Sequence, residues 1–591
     1  MSTQEKVKGA SFLLEEISPE QVFTPEDITE EQKMIGRTVL EFVEKEIEPV
    51  REKLESLDYD LSIQLMRKAG ELGLLGGEVP EEYGGLDLDK ISATILSENM
   101  TRGGSFALTH GAHIGIGSLP IVLFGSPEQK QKYLPKLVTG ELIAAYALTE
   151  PGSGSDALGA KTTAVLSADG KHYILNGSKQ FITNGGFADI FIVYAKVDGE
   201  KFTAFIVERN FPGVTIGPEE KKMGIKGSST CPVILEDVKV PVENVLGEIG
   251  KGHVIAFNIL NIGRFKLGVG AVGTTKWAIE LSAKYANERK QFNVPISRFR
   301  LIQQKLAEMN IAAYVNESTV YRTAGLIDQA LQGLDSNAPD IGVVTGKRIE
   351  EYAIECSINK VFGSEIMDQV VDEAVQIHGG YGYIQEYKVE QMYRDSRINR
   401  IFEGTNEINR LLIPGTLVKK AMRGDLPLLS AIQNLQKELI SYIPTPAEGL
   451  LGAEKTLIDA AKKITLMVAG LGVQKYQTKL EQEQELLANV ADMIIAIYTM
   501  ESAYLRTLKA IARDGEAAHQ NKIDMTRVYV HEAFEQVERL ARESLAAISE
   551  GDQLLTQLSI LKKLARRNPA NTIALKRAIA QRVIEAEKYV S

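Results

Sequence analysis

Glu403 is a carboxylate set among apolar neighbours, the residue type that can serve as a base near neutral pH. It follows Ile401 and Phe402 and precedes Gly404, within Arg397-Ile-Asn-Arg-Ile-Phe-Glu-Gly-Thr-Asn-Glu-Ile-Asn409. Apolar surroundings make a carboxylate costly to ionise and raise its pKa, which favours proton abstraction at physiological pH. Thr405 is placed to cap the helix that follows. A solvated loop acid is the other reading, and local chemistry alone leaves both open.

Three more segments could hold a ligand. Tyr146-Ala-Leu-Thr-Glu-Pro-Gly-Ser-Gly-Ser-Asp156 combines chain breakers with hydroxyls at Thr149, Ser153 and Ser155; its glycines let backbone approach a ligand. Lys179-Gln-Phe-Ile-Thr-Asn-Gly-Gly186 pairs an aromatic face at Phe181 with a hydroxyl at Thr183, as a flat heterocycle requires. Gln376-Ile-His-Gly-Gly-Tyr-Gly-Tyr383 offers glycine amides to a phosphate. His378 there has no sequence-assigned carboxylate or nucleophile, so a hydrogen-bonded structural role suits it. Each segment could also be an ordinary turn or core stretch.

Gly268-Val-Gly-Ala-Val-Gly273 matches a dinucleotide-binding pattern by letter, but both flanks read as helix. That pattern works only between a strand and a helix, so close helix packing is expected instead. No zinc motif or other metal site is present: His531-Glu532 lacks a second histidine.

These segments must be positioned by a mostly α chain with a central β domain. After an N-terminal tail, residues 1–30, helical periodicity covers 31–145. Residues 146–248 are strand-like, with Tyr173–Leu175, Ile190–Tyr194, Phe202–Val207, Val214–Ile216 and Val233–Val240 as strands. Asp169-Gly170, Asn176-Gly177 and Asp198-Gly199 are candidate hairpin turns, giving a compact antiparallel domain. Helical texture returns over 249–422, and 423–591 forms a further helical domain, loosely joined near Ile443-Pro444-Thr445-Pro446.

Length and composition bound the function. A chain of 591 residues exceeds one core. Its net charge of −11 excludes a general nucleic-acid binder. Two distant cysteines, Cys231 and Cys356, fit a reducing, cytoplasmic setting. The acid-rich start is unlike a transit peptide, and no apolar run is expected to reach membrane-spanning length.

Taken together and in order, TEPGSGSDA, FITNGG, ERKQF, QIHGGYGY and RIFEGTNEI resemble the acyl-CoA dehydrogenase family over about residues 31–420. The extra helical domain, with EKKMGIK (220–226) and LNIGRF (260–265), is most similar to the very-long-chain members. The resemblance implies a helix–β-barrel–helix fold with a C-terminal helical extension. It implies FAD bound by Tyr146, Ala147, Leu148, Thr149, Gly154, Ser155, Phe181, Ile182, Thr183 and Asn184, by Arg289 and Phe292, and by Thr405, Asn406 and Glu407. Gln376, Ile377, His378, Gly379 and Gly380 would reach the nucleotide of a neighbouring subunit, which requires a dimer or a dimer of dimers. Acyl-CoA would touch Ser155, Asn261, Ile262, Gly263, Arg264 and Gly404, with Glu403 as the base. Arg264 could instead be a structural ion-pair partner.

The same resemblance implies α,β-dehydrogenation of a fatty acyl-CoA to a trans-2-enoyl-CoA, with electrons passing to an electron-transfer flavoprotein. Some family members carry the base just before the LNIGRF arginine, and here that residue is Gly263. Small residues at Gly111, Ala112, Gly115 and Gly117 could deepen an acyl pocket or allow close packing. An acyl-CoA oxidase and a non-catalytic acyl-CoA-binding or assembly protein are the competing readings. The basic C-terminal stretch, with Lys562, Lys563, Arg566, Arg567, Lys576, Arg577, Arg582 and Lys588, is either a peripheral membrane contact or a solvated helix face.

Overall fold

The computed structural model describes residues 6–334, 338, 341–441 and 447–591. The Ile443-Pro444-Thr445-Pro446 connection lies outside the described residues. Helices from Glu30 to Thr139 precede the sheet, and helices from Gly252 onward follow it.

The strands are β1 (Ala144–Ala147), β2 (Thr163–Leu166), β3 (His172–Thr183), β4 (Ile190–Val197), β5 (Lys201–Glu208), β6 (Val214–Ile216), β7 (Thr230–Pro241) and β8 (Val245–Leu246). They pair in the order β6-β7-β3-β2-β4-β5-β8, with β1 added alongside β4. β1 and β2 both run parallel to β4, so the sheet is mixed rather than wholly antiparallel. The reason is that neither strand is joined to β4 by a hairpin. Inward side chains such as Ala145, Leu175, Phe191, Phe205 and Val233 form one buried core.

Asp169-Gly170 and Asp198-Gly199 do form turns, with positive φ at Gly170, Asp198 and Gly199. Asn176-Gly177 does not. It sits inside β3, where the register to β7 shifts between Leu175 and Gly177. The glycine is needed there because a Cβ would run into the Thr162 side chain. A bulge thus uses the residue pair that sequence assigns to a turn.

Two helices form the central helical layer, Gly252–Glu288 and Ala353–His378. Gly268 lies mid-helix, and a Cβ there would come within 2.9 Å of Asn359. The Gly268–Gly273 run therefore serves helix packing, as its flanks suggest. Among the described residues, three helices, Ser105–Phe124, Gly252–Glu288 and Gln484–Asp514, are long and apolar enough to cross a membrane, contrary to the sequence expectation. Most of each apolar window is buried within the protein, so packing accounts for the apolarity.

The C-terminal helices Gly452–Tyr476, Gln484–Asp514 and Gln520–Ile548 share a core with Ile354, Ile358 and Val361 of the central layer. The N-terminal segment, polar by count, adds buried Phe12, Leu13 and Val22 to that core. In the basic C-terminal stretch, Leu561, Leu564, Ile579 and Val583 are buried. Lys576 pairs with Glu308 and Glu532, Arg567 with Glu538, and Arg582 with Asp524. Its apolar side faces the protein, although Ile573 stays exposed, which favours the solvated-face reading.

One buried ionic network ties distant parts of the chain together. Arg506, fully enclosed, donates to Glu26 at 2.8 Å and Glu317 at 2.7 Å. The Tyr589 hydroxyl donates to Glu317 at 2.6 Å, and Lys276 pairs with Glu317 and with Glu98. The network joins the N-terminal segment, the Lys90–Met100, Gly252–Glu288 and Arg300–Leu331 helices and the C-terminal domain. Removing one partner leaves buried charge uncompensated. Arg506→Ala should therefore cost about 3–5 kcal/mol, checked as a lower thermal midpoint, whereas Arg577→Ala on the exposed face should leave it unchanged.

Candidate active site

The loop after Arg397–Arg400 turns sharply at Glu403, whose φ of 56° is left-handed, and at Gly404, with φ of 79°. Thr405 caps the next helix, Asn406–Arg423, accepting from the Ile408 N–H at 3.2 Å. This geometry points the Glu403 side chain inward. The residue is only partly covered, but its Oε2 is sealed and has no hydrogen-bond partner. A left-handed conformation at a non-glycine residue is strained, so the surrounding structure must hold it.

Two buried cations do so. Arg264 donates to Asn261 Oδ1 at 3.0 Å and approaches the Glu403 carbonyl at 3.4 Å. Lys360 donates to the Gly404 carbonyl at 2.7 Å and Asn406 Oδ1 at 2.6 Å. Burial drives the Glu403 pKa up to about 7, while Arg264 and Lys360 oppose the rise. Burial also lowers the Lys360 pKa to about 8, with Glu403 resisting. The result is a carboxyl group poised between its two forms at neutral pH, which suits proton transfer.

Gly263 faces this carboxylate. A Cβ there would lie 2.7 Å from Glu403 Oε2, so the position before Arg264 must be glycine for Glu403 to occupy its place. Beyond them opens a cavity of about 250 Å³ lined by Glu403, Gly263, Thr183, Gly111, Gly115 and Trp277, among others. Gly263, Leu267, Gly270, Thr274 and Trp277 line it from one face of the Gly252–Glu288 helix. At 1.5 Å per residue they span about 21 Å. The small residues divide by role: Gly111, Ala112 and Gly115 line the cavity, whereas a Cβ at Gly117 would lie 2.8 Å from Ala144 Cβ. Gly117 therefore serves close packing.

A slot suited to a flat ring adjoins the cavity. Phe181 is 61% exposed with φ of 59°, Thr183 lines the cavity, and Asn184 Oδ1 is buried without a partner. Tyr146 is buried with its ring edge-on to Tyr194 at 5.4 Å. Ala147, Leu148 and Ile182 are buried, and Thr149 accepts from the Gln180 N–H at 2.8 Å. Gly154 and Ser155 are exposed, and a Cβ at Gly154 would meet nothing within 4 Å. The two segments are clamped by Glu150, which accepts from Lys179 at 2.8 Å and from the Lys161 and Thr162 N–H groups.

Other expected residues gather elsewhere. Arg289 lies over the Tyr381 ring at 5.3 Å, and Phe292, Gln376, Gly379 and Gly380 are exposed nearby, at the far ends of the central helices. None of them lines the cavity. Ile377 and His378 turn inward; His378 stacks on Tyr285 at 4.2 Å and contacts the Ala374 carbonyl at 2.7 Å. Asn406 is buried against Lys360, and Glu407 is exposed. Sequence reasoning missed Lys360, Glu150 and Lys179 as holding residues. The signal available was Lys360 as the one lysine of the Ala353–His378 helix.

Comparison with known proteins is decisive for the family. A probable acyl-CoA dehydrogenase of Bacillus subtilis (strain 168) is 58% identical over 583 residues, covering 98% of each chain. The chain belongs to the acyl-CoA dehydrogenase family. Models of that family's N-terminal, middle and C-terminal domains match residues 29–141, 145–238 and 250–417, and a further model of an acyl-CoA dehydrogenase C-terminal domain matches 460–563. The human mitochondrial very long-chain specific acyl-CoA dehydrogenase is 37% identical, over 86% of this chain and 80% of its own. Among solved structures, an acyl-CoA dehydrogenase complexed with FAD from Bacillus anthracis superposes with a TM-score of 0.98 at 59% identity, covering 99% of this chain and 100% of that one.

The Gly263 contact supplies a direct test. A methyl group there would displace only the far end of the Glu403 side chain, so the fold should survive while that carboxyl is moved. Gly263→Ala should lower turnover by roughly 100-fold with the thermal midpoint unchanged.

Proposed function

We propose that this dehydrogenase binds FAD and oxidises long-chain fatty acyl-CoA thioesters to trans-2-enoyl-CoA, with Glu403 as the base. The carrying observation is the sealed Glu403 Oε2, without a partner among the described residues, at the head of a long cavity. The residues fit the cofactor: an exposed aromatic at Phe181, the Thr183 hydroxyl, the unpartnered Asn184 Oδ1 and open glycine backbone at Gly154. FAD held there supplies the acceptor for the hydride leaving the β-carbon.

The chain's own groups do the rest. Glu403 takes a proton from the carbon next to the thioester carbonyl, whose acidity rises as negative charge develops on the carbonyl oxygen. The Glu403 N–H donates to no group among the described residues, leaving it to donate to that oxygen. Such a donor acts chiefly on the developing charge. Arg264 and Lys360 favour the ionised carboxylate without pairing its oxygens, so Glu403 keeps its basicity.

Arg289, Phe292, Gln376, Gly379 and Gly380, remote from the cavity, suit the nucleotide of a neighbouring subunit, and a dimer or dimer of dimers follows. The electron acceptor is an electron-transfer flavoprotein, as the family resemblance implies. Both cysteines are buried and unpaired, in keeping with a reducing, cytoplasmic setting.

Anaerobic palmitoyl-CoA should bleach the oxidised flavin band of the wild type. Glu403→Gln should keep FAD and bind palmitoyl-CoA, yet bleach roughly 1,000-fold more slowly. An unimpaired Glu403→Gln would refute its role, and rapid peroxide formation in air would favour the oxidase reading.

A further inference from the structure

Lys266 lies one helical turn from Gly263 on the Gly252–Glu288 helix and lines the same cavity as Glu403. A charged side chain beside an apolar cavity needs a partner, and Lys266 has one: its Nζ pairs with Glu78 Oε2 at 2.6 Å. Lys90 holds the other oxygen of Glu78, so the lysine head is tethered from outside. Its four-methylene stem is thereby laid along the cavity wall, with the ammonium held between Glu78 and Gly115, whose Cβ would lie 3.7 Å from Nζ.

Behind that stem is a second space. A void of about 10 Å³ is lined by apolar residues including Ile262, Phe265, Val269 and Ile327 and bordered by Glu78, Lys90 and Thr94, with Lys266 and Ser97 belonging to both walls. The void is at the lower limit for even one water, and although charged residues border it, the surface that faces it is almost wholly apolar. Beside the stem stands Gly115, where a Cβ would come within 3.6 Å of Lys266 Cδ. Gly115 opens the cavity at this level, and Lys266 limits how far it widens.

We propose that Lys266 is a specificity-determining residue: its tethered stem closes off this apolar side space and confines the cavity to unbranched acyl chains. The inference rests on the acyl-CoA reading above and adds the shape of acyl group that is admitted. The wall stands about 4.5 Å along the helix from Gly263, so it meets the chain a few carbons beyond the reacting pair.

The test is the anaerobic flavin-bleaching rate of the holoenzyme with palmitoyl-CoA and with a hexadecanoyl-CoA carrying one methyl branch at about its sixth carbon. Wild type should favour the straight chain by roughly tenfold or more. Lys266→Ala should bring that ratio to about threefold or less, while Lys266→Met, which keeps a stem of similar length, should retain the wild-type ratio. Should Lys266→Ala lose its FAD, Gly115→Ala tests the same wall at the adjoining residue and should raise the ratio. The proposal is overturned if Lys266→Ala keeps the wild-type ratio, if Lys266→Met abolishes it, or if Gly115→Ala leaves it unchanged. A wild type that palmitoyl-CoA does not bleach overturns the acyl-CoA reading, and this one with it; a wild type that bleaches with no ratio change in the variants overturns only the role of Lys266.

Discussion

Desolvation of one carboxyl group governs the architecture of this site. Glu403 loses water from Oε2 and receives no hydrogen bond in return, an arrangement that isolated burial would resolve by permanent protonation. Arg264 and Lys360 prevent that outcome. Neither cation donates directly to the carboxylate oxygens; both bind the backbone or side chains around it. Their charge keeps the ionised form accessible while the oxygens stay free for a substrate proton. The left-handed backbone at Glu403 and the glycine at 263 are geometric consequences of placing the carboxyl there.

The remainder of the fold holds these groups still. Arg264 and Gly263 stand on a 37-residue helix, and Lys360 stands on its neighbour. Those helices approach closely because Gly268 and Gly363 present no side chains between them. The Arg506–Glu26–Glu317 network then locks the same layer to both ends of the chain. The additional C-terminal domain thus continues the core that carries the active site, sharing Ile354, Ile358 and Val361 with it. Rigidity of this kind is what an unpaired buried base requires, since any loosening would admit water and lower its pKa.

Much of this was legible in the sequence where the signal is local. Thr405 as a cap, the strands around Ile190 and Phe202, and the turn at Asp198-Gly199 all depend on neighbours a few residues away. The rejection of Gly268–Gly273 as a nucleotide loop depended only on its helical flanks. What could not be read depends on distant partners. Asn176-Gly177 has hairpin chemistry, but Thr162 and the β7 register make it a bulge. Lys266 meets Glu78 from 188 positions away, and Lys360 meets Asn406 from 46. No periodicity marks such pairs, and a lysine on an apolar helix face gives no hint of its partner. The apolarity of Gly252–Glu288 carries the same ambiguity, since membrane and protein interiors select similar side chains.

The pH dependence of a single turnover tests the central claim most directly. In wild-type protein mixed anaerobically with excess palmitoyl-CoA, the bleaching rate should rise with pH and level off, with a midpoint near the Glu403 pKa of about 7. The sign follows from the chemistry: the protonated carboxyl cannot accept the α-proton, so activity is lost as pH falls through that value. A rate that is flat between about pH 5.5 and 8.5, or that falls as pH rises through 7, would contradict a buried, near-neutral Glu403 as the base.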